Sequence, residues 1–279
     1  YTIPLEEYRY GFAMLGAYGV NMFVPHLFHY RTNTPESQAD WPPSWFFQNP
    51  YWKYFRPLAE FGSRISYMIS QGNEVCDVAI LYPLSDAWAG GYPGNPDDQY
   101  YRHVQQELID WHINYNVIDP ESLSKAELSD QSLIAGKGKY RILVLPGIRT
   151  IRQDVMQKIS GFVEQGGTVI ALSSLPVLSE NGPEGDEQVN STVRKLFGFP
   201  GSVLNLGEYF KRNINLTENY TAKANRKGTA FFSRYASELP SMIYSRIEPD
   251  VLVLSPNAKF LRLHHRRIGK QEILLLVND

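Results

Sequence analysis

The chain has 279 residues, of which 43% are hydrophobic, 20% charged and 13% aromatic, a balance that excludes intrinsic disorder and allows one large or two ordinary domains. With 27 Lys and Arg against 29 Asp and Glu, the net charge of -2 offers no basic footprint for nucleic acid or an anionic membrane, and no apolar run reaches the roughly 20 residues of a membrane-spanning helix. A single cysteine, Cys76, excludes an intramolecular disulfide and a cysteine-based zinc site and leaves the redox compartment open.

The sequence opens at Tyr1 without a signal-peptide pattern. It ends two residues past an apolar, strand-like run at 272–277 that no later segment pairs or covers, so it reads as a piece of a larger protein. Residues 5–18 set Tyr8, Phe12, Ala13 and Leu15 at helical spacing, and Gly19 suits a left-handed cap. The apolar run at 20–28, broken by Asn21, Pro25 and His26, predicts a buried parallel strand. His26, His29, Tyr30 and Arg31 then fall at the carboxyl end of that strand, the edge where barrels and parallel sheets gather binding groups. Residues 32–50 form a loop longer than about 12 to 15 residues, a length that goes with function or disorder; Trp41, Trp45, Phe46 and Phe47 argue against disorder. At 51–70 the pattern is an amphipathic helix, with Tyr54, Leu58, Phe61, Ile65 and Met68 or Ile69 in one stripe and Gln71-Gly72 as its stop.

From residue 77 onward strands alternate with helices. Strands are predicted at 77–82, 114–118, 141–145 and 168–172 and helices at 99–112 and 153–165, which implies a doubly wound parallel sheet with right-handed crossovers. Beyond Ser173 the pattern weakens. Residues 179–189 are polar and acidic, 193–197 reads as a short helix, and 205–220 offers only ambiguous strand pieces. A last helix is placed at 237–244, and 259–264 with 272–277 reads as a hairpin around 267–269.

Four words occur in fixed order: Val78-Ala-Ile-Leu-Tyr82, Asp86-Ala-Trp88-Ala89, Tyr140-Arg-Ile-Leu-Val-Leu-Pro-Gly147 and Phe162-Val-Glu-Gln-Gly-Gly-Thr-Val169. Together they resemble the α/β domain that follows the catalytic barrel in several glycoside hydrolases, including the family 42 β-galactosidases. That domain looks like a class I glutamine amidotransferase fold without its chemistry. An active amidotransferase needs a cysteine at a sharp strand-to-helix turn with a histidine partner, whereas Cys76 precedes the first strand and the turn after Leu172 reads Ser173-Ser174-Leu175. Upstream, Gly19-Val-Asn-Met-Phe-Val-Pro-His-Leu-Phe-His-Tyr30, Trp41-Pro-Pro-Ser-Trp45 and Arg64-Ile-Ser-Tyr-Met-Ile-Ser-Gln-Gly72 resemble glycoside hydrolase family 106, the α-L-rhamnosidases. Pro249-Asp-Val251, His265-Arg266 and the run 273–278 are similar to that family's approach to a β-sandwich.

The resemblance implies an α/β fold in three parts: 1–73 as the last βα units of a TIM barrel, 74–255 as a flavodoxin-like, amidotransferase-like doubly wound domain without catalytic residues, and 256–279 as the start of a β-rich sandwich. It implies hydrolysis of terminal α-L-rhamnosyl bonds in plant-type glycans, with inversion, by an extracellular or periplasmic protein. Such chemistry needs two carboxyl groups about 5 to 5.5 Å apart, or roughly 6.5 to 9.5 Å with inversion. The resemblance implies that they lie on earlier barrel strands, upstream of Tyr1, and Glu6 and Glu7 most simply favour the dipole of the helix they begin. No catalytic residue is therefore assigned within the chain. As substrate contacts, His26, His29 and Tyr30 can exchange hydrogen bonds with sugar hydroxyls, and Trp41 and Trp45, with Trp52, can stack on sugar faces or pack the loop onto the barrel. Asp86 and Trp88 sit at the carboxyl end of a strand, where packing between domains is the plainer account. The run 264–267 of two His and two Arg reads as a solvated basic turn. Histidines three apart on a strand face opposite sides, which argues against a shared metal site; no cofactor is expected either, and the expected partners are a carbohydrate and the remainder of the barrel, without nucleic acid or membrane. Two alternatives stand beside this: another exo-glycosidase, β-galactosidase-like, and a non-catalytic structural or oligomerisation module.

Overall fold

The computed structural model describes residues 4–26, 28–31, 33–36, 44–91, 96–198, 220–222, 227–254 and 258–278. They fall into two compact units, Tyr1–Val75 with Phe260–Asp279 and Cys76–Lys259.

In the smaller unit, helices Leu5–Ala17 and Phe55–Ser70 accompany an antiparallel sheet of Asn73–Glu74, Leu261–Ile268 and Gln271–Asn278. The first helix closes as its glycine predicts: Gly19 has φ 85°, its N–H donates to Gly16 O, and Val20 N–H reaches back to Leu15 O at 2.9 Å, the paired bonds of a Schellman cap. Leu58, Gly62, Ile65 and Ile69 form the buried stripe of the second helix. A Cβ on Gly16 would stand 2.6 Å from Ile65 Cγ2, so the absence of a side chain there permits the close helix approach. The predicted hairpin is present, in register from Leu261 opposite Asn278 to Ile268 opposite Gln271.

Among the described residues the strand predicted at 20–28 is absent: residues 20–26 and 28 are irregular, with Met22 and Val24 exposed. A strand exists only where a neighbour takes its N–H and C=O groups, and among the described residues no strand runs beside this one. Its backbone is instead met locally, by the Ser66 hydroxyl donating to Asn21 O, and Pro25 brings no donor.

The larger unit is built on a six-stranded sheet in the spatial order Tyr220–Ala222, Thr229–Ser233, Thr168–Leu172, Ile142–Pro146, Val78–Leu81, Tyr115–Ile118. The first of these is antiparallel and the other five are parallel. Numbered along the chain, the parallel strands lie in the order 2-1-3-4-5. Every residue of Val78–Leu81, Ile142–Pro146 and Thr168–Leu172 is buried, which is why these strands read as continuous apolar runs: both faces are covered. Alternate side chains feed two cores, Ala79, Leu143, Phe162 and Phe197 on one face and Ile80, Val104, Ile170 and Ile243 on the other.

Further elements depart from the pattern-based expectation. Pro183–Phe197 is one helix of 15 residues rather than a short helix at 193–197; its early residues read as polar and acidic because it buries a narrow stripe and carries Glu184 and Asp186 in its first turn, where the dipole favours them. The fifth parallel strand, Thr229–Ser233, and a small sheet of Glu127–Ser129, Ser132–Ala135 and Gly138–Tyr140 were not anticipated. The ambiguous pieces at 205–220 lie outside the described residues, apart from Tyr220.

Candidate functional site

Ser44 ties together the two segments that carry most of the proposed contacts. Its hydroxyl accepts the backbone N–H groups of His29 and Phe46, each at 3.2 Å, and donates to Gln48 Oε1 at 3.1 Å. Gln48 Nε2 returns a bond to His29 O at 3.2 Å, and Asn49 donates to Ser44 O at 3.1 Å while accepting Tyr51 N–H at 2.9 Å. Polar side chains thus substitute for a regular ladder in fixing these loops.

Aromatic rings fill the space between them. Phe28 stacks on Phe46 with centroids 5.4 Å apart, Trp52 on Phe55 at 5.4 Å, and Trp45 sits edge-on to Phe55 at 5.8 Å and against Tyr8 at 3.8 Å. Ring pairs of this kind add about 0.5–1.5 kcal/mol beyond their buried area. Trp52 is part of this packing. Trp45 is half-buried and leaves part of its ring outside.

His29 and Trp45 are brought into one stitched cluster. His29 is 8% exposed, and its Nε2 has no hydrogen-bond partner among the described residues, an arrangement that costs about 1–3 kcal/mol when the atom stays unpaired. His26 is exposed and Tyr30 is 97% exposed, so both are open to solvent at the margin of the same segment. Trp41 lies outside the described residues.

The basic run 264–267 is not a solvated turn. His264 and His265 are buried; His265 Nε2 lies 2.8 Å from Glu272 Oε2, and Arg267 Nε donates to Glu272 Oε1 at 2.6 Å. Arg266 reaches Gln71 O at 2.6 Å and Gly72 O at 2.9 Å, so the run staples the hairpin to the end of the second helix. Burial, with Arg266 and His265 nearby, pulls His264 down to about 4.

At the carboxyl edge of the large sheet, the Asp86 carboxylate is 6% exposed. Burial raises its pKa, and hydrogen bonds from the Arg149 and Thr150 backbone N–H groups hold it back. Trp88, two residues on, is 73% exposed. Ser173, at the turn where an amidotransferase would carry its cysteine, has φ 63°, a left-handed conformation uncommon outside glycine.

Comparison with known proteins gives the family and the fold. A family model described as alpha-L-rhamnosidase matches residues 13–279. The rhamnosidase from Novosphingobium sp. PP1Y is 20% identical with a TM-score of 0.67, over 99% of this chain and 24% of its own. The β-galactosidase from Rahnella sp. R3 is 17% identical with a TM-score of 0.55, over 80% of this chain and 39% of its own. At these identities the likeness shows the fold alone, and the chain spans about a quarter of that rhamnosidase. No curated protein matches it. From residue 13 to residue 279 the sequence fits one family model, and the chain belongs to glycoside hydrolase family 106, the alpha-L-rhamnosidase family.

Proposed function

We propose that this chain is part of an enzyme that hydrolyses terminal α-L-rhamnosyl bonds in plant-type glycans, with inversion, outside the cytoplasm and without a cofactor. The observation that carries this is the family match over residues 13–279, supported by the fold likeness to the Novosphingobium rhamnosidase over 99% of the chain. Residues 1–73 supply the last βα units of a TIM barrel, 74–255 a flavodoxin-like and amidotransferase-like domain, and 256–279 the beginning of a β-sandwich. Strand order 2-1-3-4-5 supports the flavodoxin-like assignment. Ser173 at the elbow, with Cys76 ahead of the first strand, supports the absence of amidotransferase chemistry.

The two catalytic carboxyl groups belong to other parts of the longer protein. Here, His26, His29, Tyr30, Trp41 and Trp45 hold the sugar: imidazole and phenol exchange hydrogen bonds with its hydroxyls, and indole covers its C–H face. The test is hydrolysis by the longer protein of an aryl α-L-rhamnoside against an aryl β-D-galactoside, with the first anomer followed by NMR. Release from the rhamnoside with inverted product is expected. Release from the galactoside alone would favour the β-galactosidase-like reading that the Rahnella enzyme's fold supports, and release from neither would leave a structural module.

A further inference from the structure

In an open parallel sheet the chain changes direction across one pair of strands, and the loops beyond their carboxyl ends part into the crevice where such sheets take ligands. With order 2-1-3-4-5, that pair is Val78–Leu81 and Ile142–Pro146, which are adjacent and parallel. The loop after the first strand makes a single helical turn, Leu84–Asp86, and sends a carboxylate to the loop after the second. Asp86 Oδ2 accepts Arg149 N–H at 2.8 Å and Oδ1 accepts Thr150 N–H at 2.7 Å.

Two successive backbone donors, each aimed at one oxygen of the same carboxylate, make an anion receptor, and the Thr150 side chain adds a hydrogen bond of its own to Asp86. The occupant and one of its two donor residues are out of water, Asp86 at 6% and Thr150 at 7% exposed, while Arg149 is exposed and its N–H bond to Asp86 is part-buried. Ser85, beside Asp86, is likewise buried and donates to Glu180 Oε1 at 2.5 Å, which fixes the approach of the loop. Burying a carboxylate is costly unless its oxygens are bonded, and here both are, by donors that have a matching need.

We propose that the Arg149–Thr150 amide pair is a carboxylate-binding site at the ligand crevice of the sheet, and that Asp86 is its built-in ligand. The crevice is filled from within the chain, and the α/β unit serves as a scaffold there rather than as a receptor for a free anion. The inference rests on strand order and hydrogen bonds and is independent of the carbohydrate reading.

The test uses the full chain with Asp86→Ala, which leaves room for a small carboxylate, and follows thermal melting in formate or acetate against chloride at equal ionic strength. The variant is expected to melt about 5 °C below the parent chain. Formate should then raise its midpoint to saturation while leaving the parent chain unmoved. Melting at the parent temperature, or a lowered midpoint that formate and acetate move no more than chloride does, would overturn the proposal. Should Asp86→Ala not fold, Asp86→Asn sets an amide donor against one of the two N–H groups. Hydrogen exchange at Arg149 and Thr150 should then quicken at least about tenfold more than at Ile142–Pro146, and uniform exchange along both segments would overturn it.

Discussion

Two runs that both read as strands meet opposite fates, the aliphatic Val78–Leu81 and the stretch 20–26, which Asn21, Pro25 and His26 interrupt. Val78–Leu81 lies between Tyr115–Ile118 and Ile142–Pro146, and none of its residues is more than 1% exposed. The run at 20–26 has no ladder partner among the described residues, and Met22 and Val24 are 74% and 80% exposed. An apolar pattern states what a segment can bury, while neighbouring edges decide whether it becomes a strand. The smaller unit is nonetheless ordered around that run, by a Schellman cap on one side and an aromatic and polar network on the other.

The sharpest way to break the comparison is to remove side chains from each run. Ile80→Ala should cost about 4 kcal/mol in chemical denaturation, because the site is enclosed on every side. A cost near that of an exposed position would mean the sheet core is not as packed as its burial indicates.

The ordered part of the smaller unit makes a pH prediction through His264. Burial together with Arg266 and His265 outweighs the Glu74 carboxylate 3.9 Å from Nδ1, and brings the group from 6.5 to about 4. As pH falls below 6.5 the unfolded chain takes up a proton before the folded one does. Stability fully present above pH 6.5 is therefore lost progressively down to about pH 4, by about 3 kcal/mol in all. Denaturation at stepped pH checks this, and His264→Phe should flatten the slope between pH 6.5 and 4.5.

A smaller effect is expected at Gly72, with φ 58° and the carbonyl oxygen of Arg267 2.2 Å from where a Cβ would stand. Gly72→Ala should cost about 2 kcal/mol, through left-handed strain and the displaced hairpin; unchanged melting would show that the staple yields. Smallest of all, Val24→Ala should stay within about 0.5 kcal/mol.

Elements with closed local signals were legible in the sequence. Gly19 named its cap, Thr168–Leu172 its strand, and 259–277 its hairpin, since each depends on residues within a turn or a run. Elements defined by distant partners were not. Thr229–Ser233 is five residues long and earns its place by pairing with Thr168–Leu172, and the strands at 127–140 are three or four residues each. The site divides in the same way. His26, His29, Tyr30 and the tryptophans are proposed from chain position, whereas the Ser44 and Gln48 bonds to His29 span 15 and 19 residues, and those to Asp86 span 63 and 64. No local periodicity encodes such pairs.

The most direct test of the account is the kinetics of aryl α-L-rhamnoside hydrolysis by the longer protein carrying His26→Ala. His26 is exposed, so the substitution should leave melting unmoved. If this edge holds the sugar, KM rises about tenfold, the worth of one hydrogen bond. A KM and kcat equal to those of the parent enzyme, with folding intact, would contradict the placement of the rhamnose site on this segment.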